Sequence, residues 1–149
     1  MFALNLPPYS TNIVTHDGQE MIFDVLRRIF VALTPEEWVR QHFIHFLINN
    51  KHYPNTLLAN EVSITLNGMT RRCDSVLYGK DLTPRMIIEY KAPTVKINQK
   101  VFSQINAYNA VLRVPYIIAS NGITHYCCKL NQGGNAYEFL DEIPNYETL

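Results

Sequence analysis

The sequence predicts an α/β fold in which helices flank a mixed sheet. Three observations carry that prediction: a capped amphipathic helix opening at Thr34, three strands joined by tight turns over residues 61–91, and a second helix leading into the buried strand "YIIAS". With 149 residues, 47% of them hydrophobic and 17% charged, the chain has the size of one domain with a single sizeable core.

Pro7 and Pro8 start an irregular arm, and the apolar residues of "MIFDVLRRIFVAL" fit strand and helix equally, so residues 1–33 are assigned to neither. "TPEE" then supplies an N-cap threonine, a proline at the first helical position and a glutamate three residues after the cap. The helix it opens carries Trp38, Val39, His42, Phe43, Phe46 and Leu47 on one face and ends near Asn49 and Asn50. "EVSITL" alternates Val62, Ile64 and Leu66 against Glu61, Ser63 and Thr65 before the hairpin dipeptide Asn67-Gly68. The return strand covers 70–78, residues 79–84 turn the chain, and "RMIIEYK" is the third strand, closed by Pro93. Val101, Ile105, Tyr108 and Leu112 then recur at helical spacing from Asn98 until Pro115. "YIIAS", an Asn121-Gly122 turn, "ITHYCCKL" and a short "AYEFL" complete the strands, with no internal repeat or low-complexity segment.

Lys+Arg and Asp+Glu total 13 each, so no global field draws the chain to nucleic acid, membrane or an acidic partner. A polyanion must be held by a local patch. No apolar run approaches the roughly 18 residues that span a bilayer, and "MFALNLPPYS" lacks the features of a signal peptide, so the expected location is the cytoplasm, with no membrane partner. Cys73, Cys127 and Cys128 match neither a disulfide framework nor zinc-ligand spacing and are expected as reduced thiols. His42 and His45 lack the H-E-x-x-H spacing, and His42, on the apolar face, reads as a core histidine.

The chemistry concentrates where an apolar strand ends in charge. Side chains alternate along a strand, so Glu89 and Lys91 share one face while Ile88 and Tyr90 take the other. Antiparallel pairing across the 79–84 turn brings Asp74 toward Glu89, whereas a slip of one residue turns it away. Two converging carboxylates repel unless a cation lies between them. Mg2+, with Mn2+ as a substitute, accepts one or two carboxylates, keeps several waters and takes phosphate oxygens in what remains. The backbone carbonyl of Tyr90 is a further candidate ligand. Lys91 beside the metal would orient the attacking water or offset charge developing on a phosphodiester. The expected chemistry is phosphodiester hydrolysis, and a plain ion pair between Lys91 and one carboxylate is the ordinary alternative.

Asp74, separated by 14 residues from the Glu89 of "IIEYKAP", resembles the core signature of the PD-(D/E)xK nuclease superfamily. Downstream, "QINAY" is similar to the Q-x-x-x-Y motif of its RecB-like and type I restriction branches, and "IIASNG" to the strand and turn that follow it. From "TPEEWVRQHF" to "IIASNGITHY", residues 34–126, the chain resembles the N-terminal nuclease domain of the type I restriction enzyme R subunit. The resemblance implies a restriction-endonuclease-like αβββαβ core, the order read above, in a single domain with an arm at 1–33 and an extension at 127–149.

It further implies that Asp74 and Glu89 bind metal, that Lys91 is the catalytic lysine, and that Gln104 and Tyr108 touch DNA or brace the site. In the family a first-helix glutamate often joins the metal; Glu37 or Glu36 is the candidate, although Glu37 also serves as the capping partner of Thr34. Glu61 is another. Arg40 and Gln41, read on the exposed flank of the first helix, with Arg71, Arg72, Lys96 and Lys100, are candidate phosphate contacts. Cys73 stands where the signature has proline, a change that leaves the aspartate oxygen in place.

The implied function is that of a Mg2+-dependent DNA endonuclease. The alternative is a non-catalytic nucleic-acid-binding or assembly module of a restriction or repair system. Type I R subunits continue into an ATP-driven translocase, yet these 149 residues hold no G-x-x-x-x-G-K-[ST] loop. The expectation is action on DNA without a motor, alone, as a homodimer or beside restriction or repair partners, and with little sequence specificity.

Overall fold

The stretch that fitted strand and helix equally is a hairpin. In the computed structural model, which describes residues 2–149 and Tyr108 by its backbone alone, β1 (Ile13–His16), β2 (Gln19–Asp24) and β3 (Ile29–Ala32) form a small antiparallel sheet. Asp24 decides against a helix: its Oδ1 accepts the N–H groups of Leu26 and Arg27 at 2.8 and 2.9 Å, and Arg28 turns left-handed at φ +59°. The expected irregular arm is therefore largely a sheet.

Helix α1 (Pro35–Asn50) starts as its sequence predicts, with Thr34 Oγ1 accepting the Glu37 N–H at 3.0 Å. β4 (Leu58–Leu66), β5 (Met69–Tyr78) and β6 (Pro84–Tyr90) make the meander, β4 beginning three residues before the expected strand. Helix α2 (Gln99–Ala110), capped by Asn98, then crosses over to β7 (Tyr116–Ser120). β8 (His125–Leu130) and β9 (Tyr137–Leu140) complete a six-stranded sheet ordered β4-β5-β6-β7-β8-β9. Only the β6–β7 pair is parallel, and a parallel pair needs a crossover, which α2 provides.

The mixed sheet is covered on both faces. Val39, Phe43, Ile44 and Leu47 of α1 pack on Leu77, Met86, Ile88, Tyr90, Ile118 and Cys127. On the other face Phe102 of α2 packs on Ile117, Ala119 and Cys128, and Leu112 and Val114 pack with Val76 and Ile87. Burial on both sides is why "MII" and "YIIAS" are unbroken apolar runs. Phe102, fully buried, is absent from the expected helix face of Val101, Ile105, Tyr108 and Leu112. The last residues belong to the same body: Tyr53 Oη donates to Pro144 O and the Tyr146 N–H to Lys51 O, each at 2.9 Å.

Candidate active site

The site begins with a break in alternation. Leu58 and Leu77 pack under α1, yet Ile64 and Cys73, which an even pleat would keep on that face, pack on the α2 side. The slip falls between the pairs Asn60–Ser75 and Val62–Cys73, at Glu61 and Asp74. Glu61 is left-handed there, at φ +55°, a conformation that costs a non-glycine residue on the order of 1–3 kcal/mol. Arg40 holds the kink: its Nη1 donates to the Asp74 carbonyl at 2.9 Å and pairs with Glu61 Oε1 at 2.8 Å.

Across β5 and β6 the register Ser75–Ile88 brings Asp74 opposite Glu89. The Tyr90 N–H, beyond the paired stretch, donates to Asp74 Oδ2 at 2.9 Å. Burial together with the charge of the facing Asp74 pushes the Glu89 carboxyl up to about 7. Arg71 Nη2 donates to Glu89 Oε1 at 2.6 Å and offsets part of that rise. Arg71, Glu89, Lys91, Gln104 and Ile105 line one cleft of about 240 Å3. The strand end and the helix after it thus meet across a gap, with Gln104 exposed and Lys91 half-buried. The side chain of Tyr108 lies outside the described residues.

Beneath the cleft lies a polar brace. Glu37 accepts from Arg40 Nε and Nη2 at 3.0 and 2.9 Å and from Gln41 Nε2 at 2.9 Å, and Arg27 comes within 3.5 Å. Its carboxylate therefore faces arginines instead of turning back to Thr34. Arg40 and Gln41, expected on an exposed flank, are buried, 9% and 0% exposed. The i, i+3 and i, i+4 spacing to Glu37 draws both inward, so they support the site from within. Glu61 bonds Arg72 as well as Arg40, and these arginines hold its carboxyl below the usual range against the opposing effect of burial. Glu36 is exposed.

A second chain of bonds was missed by sequence reasoning. Tyr90 Oη donates to Ser75 Oγ at 2.9 Å, Ser75 Oγ to Asn60 Oδ1 at 2.6 Å, and Asn60 Nδ2 to Asp24 Oδ2 at 3.0 Å. Asp24 closes the chain on Arg27 Nε at 2.6 Å. Polar residues inside apolar strands, such as Ser75 in "DSVLY", were the available signal. The segment after Lys91 is pinned too: the Lys91 N–H donates to Ser120 O at 2.9 Å, and Asn121 Nδ2 to Val95 O at 2.8 Å. Lys96 and Lys100 are exposed on it and at the start of α2.

A family model of the type I restriction enzyme R protein N terminus matches residues 35–144. The chain belongs to that family. No curated protein matches it. The R-protein N-terminal match runs from α1 past β9, so it takes in every candidate residue of the cleft and extends beyond the 34–126 expected from motifs. In this member of the family the donor set fits a hard divalent cation, because two crowded carboxylates offer only oxygen and already attract a guanidinium. Among the described residues no third His, Cys, Asp or Glu gathers with them. Further positions would fall to water, backbone oxygen or phosphate. Among the described residues no helix is long and apolar enough to cross a membrane.

Proposed function

We propose that this R-protein N-terminal domain is a metal-dependent endonuclease that hydrolyses DNA phosphodiester bonds. The observation that supports the reading most is the pairing of Asp74 with Glu89 at the edge of the cleft that Lys91 and Gln104 also line. A larger hollow, about 510 Å3 between the 79–85 turn and the C-terminal residues, holds Asp81 and Glu147 beside Lys80 and Arg85, but Asp81 Oδ1 is taken up by the N–H and hydroxyl of Thr83 within the turn, so chemistry rather than size guides the choice.

In this reading Asp74 and Glu89 hold Mg2+, or Mn2+ in its place. When bound, the ion supplies Lewis acidity toward the phosphate and lowers the pKa of its water. The Tyr90 N–H holds one oxygen of Asp74 and leaves the other for the metal. Lys91 projects into the cleft and offsets negative charge as the phosphodiester is attacked. Gln104 contacts the DNA from the opposite wall, with Tyr108 one helical turn on, and Lys96 and Lys100 meet flanking phosphates. The partners are DNA, with a second copy or other components of a restriction or repair system.

The test is cleavage of supercoiled, linear and single-stranded DNA in Mg2+ and Mn2+, with Glu89→Ala as control. Cleavage by the native chain alone is expected. Equal cleavage by both chains would remove Glu89 from the mechanism, and no cleavage on any substrate would favour a binding module.

A further inference from the structure

We infer that Arg71 couples metal loading to DNA binding, by serving as the counter-ion of Glu89 until a metal takes its place. The inference rests on the reading of Asp74 and Glu89 as metal ligands. Arg71 and Glu89 are bonded at 2.6 Å, with their side chains 19% and 13% exposed. Both line the cleft shared with Lys91 and Gln104. Arg71 reaches this face because of the slip at Asp74, which carries Cys73, and with it Arg71, to the α2 side of the sheet.

A guanidinium and a divalent cation answer the same need, a positive charge for two crowded carboxylates, and would compete for the Glu89 carboxylate that Arg71 holds through Oε1. Metal binding therefore takes from Arg71 its carboxylate partner. A guanidinium displaced from one carboxylate gains by meeting another anion. The cleft offers a place for one: a DNA phosphate beside Lys91 would accept the guanidinium through its planar fork. DNA then releases Glu89 to the metal, and metal releases Arg71 to the DNA. Linkage makes the effect reciprocal, each ligand raising the affinity for the other. Arg71 is a positioning residue that acts through Glu89 and keeps the empty site from loading strongly without substrate.

The experiment is calorimetric titration of Ca2+, an oxygen-seeking cation, into native chain, Arg71→Gln and Arg71→Lys, with and without a short DNA duplex. Without DNA, Arg71→Gln is expected to bind Ca2+ roughly tenfold more tightly than the native chain. DNA should tighten native Ca2+ binding by a factor within the roughly 5–150-fold typical of coupled sites, and should tighten that of Arg71→Gln markedly less, because only direct ligation of the ion by phosphate remains. Arg71→Lys keeps the charge without the fork, so partial coupling is expected even if the glutamine variant folds poorly. Unchanged or weaker Ca2+ affinity in both variants, with Asp74→Ala still abolishing binding, would overturn the coupling and leave the metal site standing. Absence of Ca2+ binding by the native chain, with DNA or without, would overturn both.

Discussion

The backbone N–H of Tyr90 donates to Asp74 Oδ2 at 2.9 Å, so the strand that carries Glu89 and Lys91 is fastened to the carboxylate of its neighbour. In the proposed site one oxygen of Asp74 is structural and the other would be left to the metal. Replacement of Asp74 by Asn keeps the shape and an acceptor for Tyr90 but removes the charge. Asp74→Asn is expected to retain the fold by circular dichroism and to lose Mn2+ binding in calorimetry. Native-like Mn2+ affinity in that variant would sink the proposed site.

Lys91 lines the cleft but makes no ligand bond in the proposed site, so its loss should separate binding from turnover. Lys91→Ala is expected to bind Mn2+ as the native chain does and to cleave DNA at least about 100-fold more slowly, the scale of a positioned group acting in the transition state. Full cleavage would refute the role.

Burial and the Asp74 charge raise the Glu89 carboxyl from 4.5 to about 7 in the folded chain. A folded-state pKa above the unfolded value contributes stability that is complete below the unfolded value and is lost as pH rises through the folded one. The metal-free chain should therefore weaken between pH 4.5 and about 7. Urea unfolding in chelator should find that slope flattened in Glu89→Gln, which gains about 1 kcal/mol above pH 7. An equally steep slope in the variant would assign the titration to another group.

Arg40 is nearly buried and joins Glu37, Glu61 and the Asp74 carbonyl, with its guanidinium carbon 5.9 Å from the centre of the Tyr90 ring. Arg40→Ala leaves Glu37 to Gln41 and Arg27 and Glu61 to Arg72, and should cost about 3 kcal/mol in chemical unfolding, and Arg40→Lys should recover little because an ammonium lacks the fork. A loss no larger than that of an exposed arginine would show the brace to be dispensable.

Much of this architecture was legible from residue patterns. Thr34 with Pro35, the Asn67-Gly68 turn and the paired apolar runs are local signals, and the elements they mark are present. The approach of Asp74 to Glu89 was legible because a tight turn links the two strands and fixes the register. The burial of Arg40 was not, since it depends on Glu61 and Asp74, which are distant in sequence and meet only at a kink in the sheet. The hairpin at β2 and β3 was ambiguous because its apolar residues satisfy two periods, and a single side chain, Asp24, tips the balance. The Asp24–Asn60–Ser75–Tyr90 chain spans four separate strands, and a polar residue inside an apolar run, such as Ser75, is its one local sign.

Cys127 and Cys128 are adjacent in sequence, yet one packs in the layer under α1 and the other in the layer under α2. Burial lifts both thiols to about 12, far from the thiolate form at neutral pH. The pleat makes the sheet an insulator between them: two sulfurs that would form a redox couple if they met are kept in separate compartments.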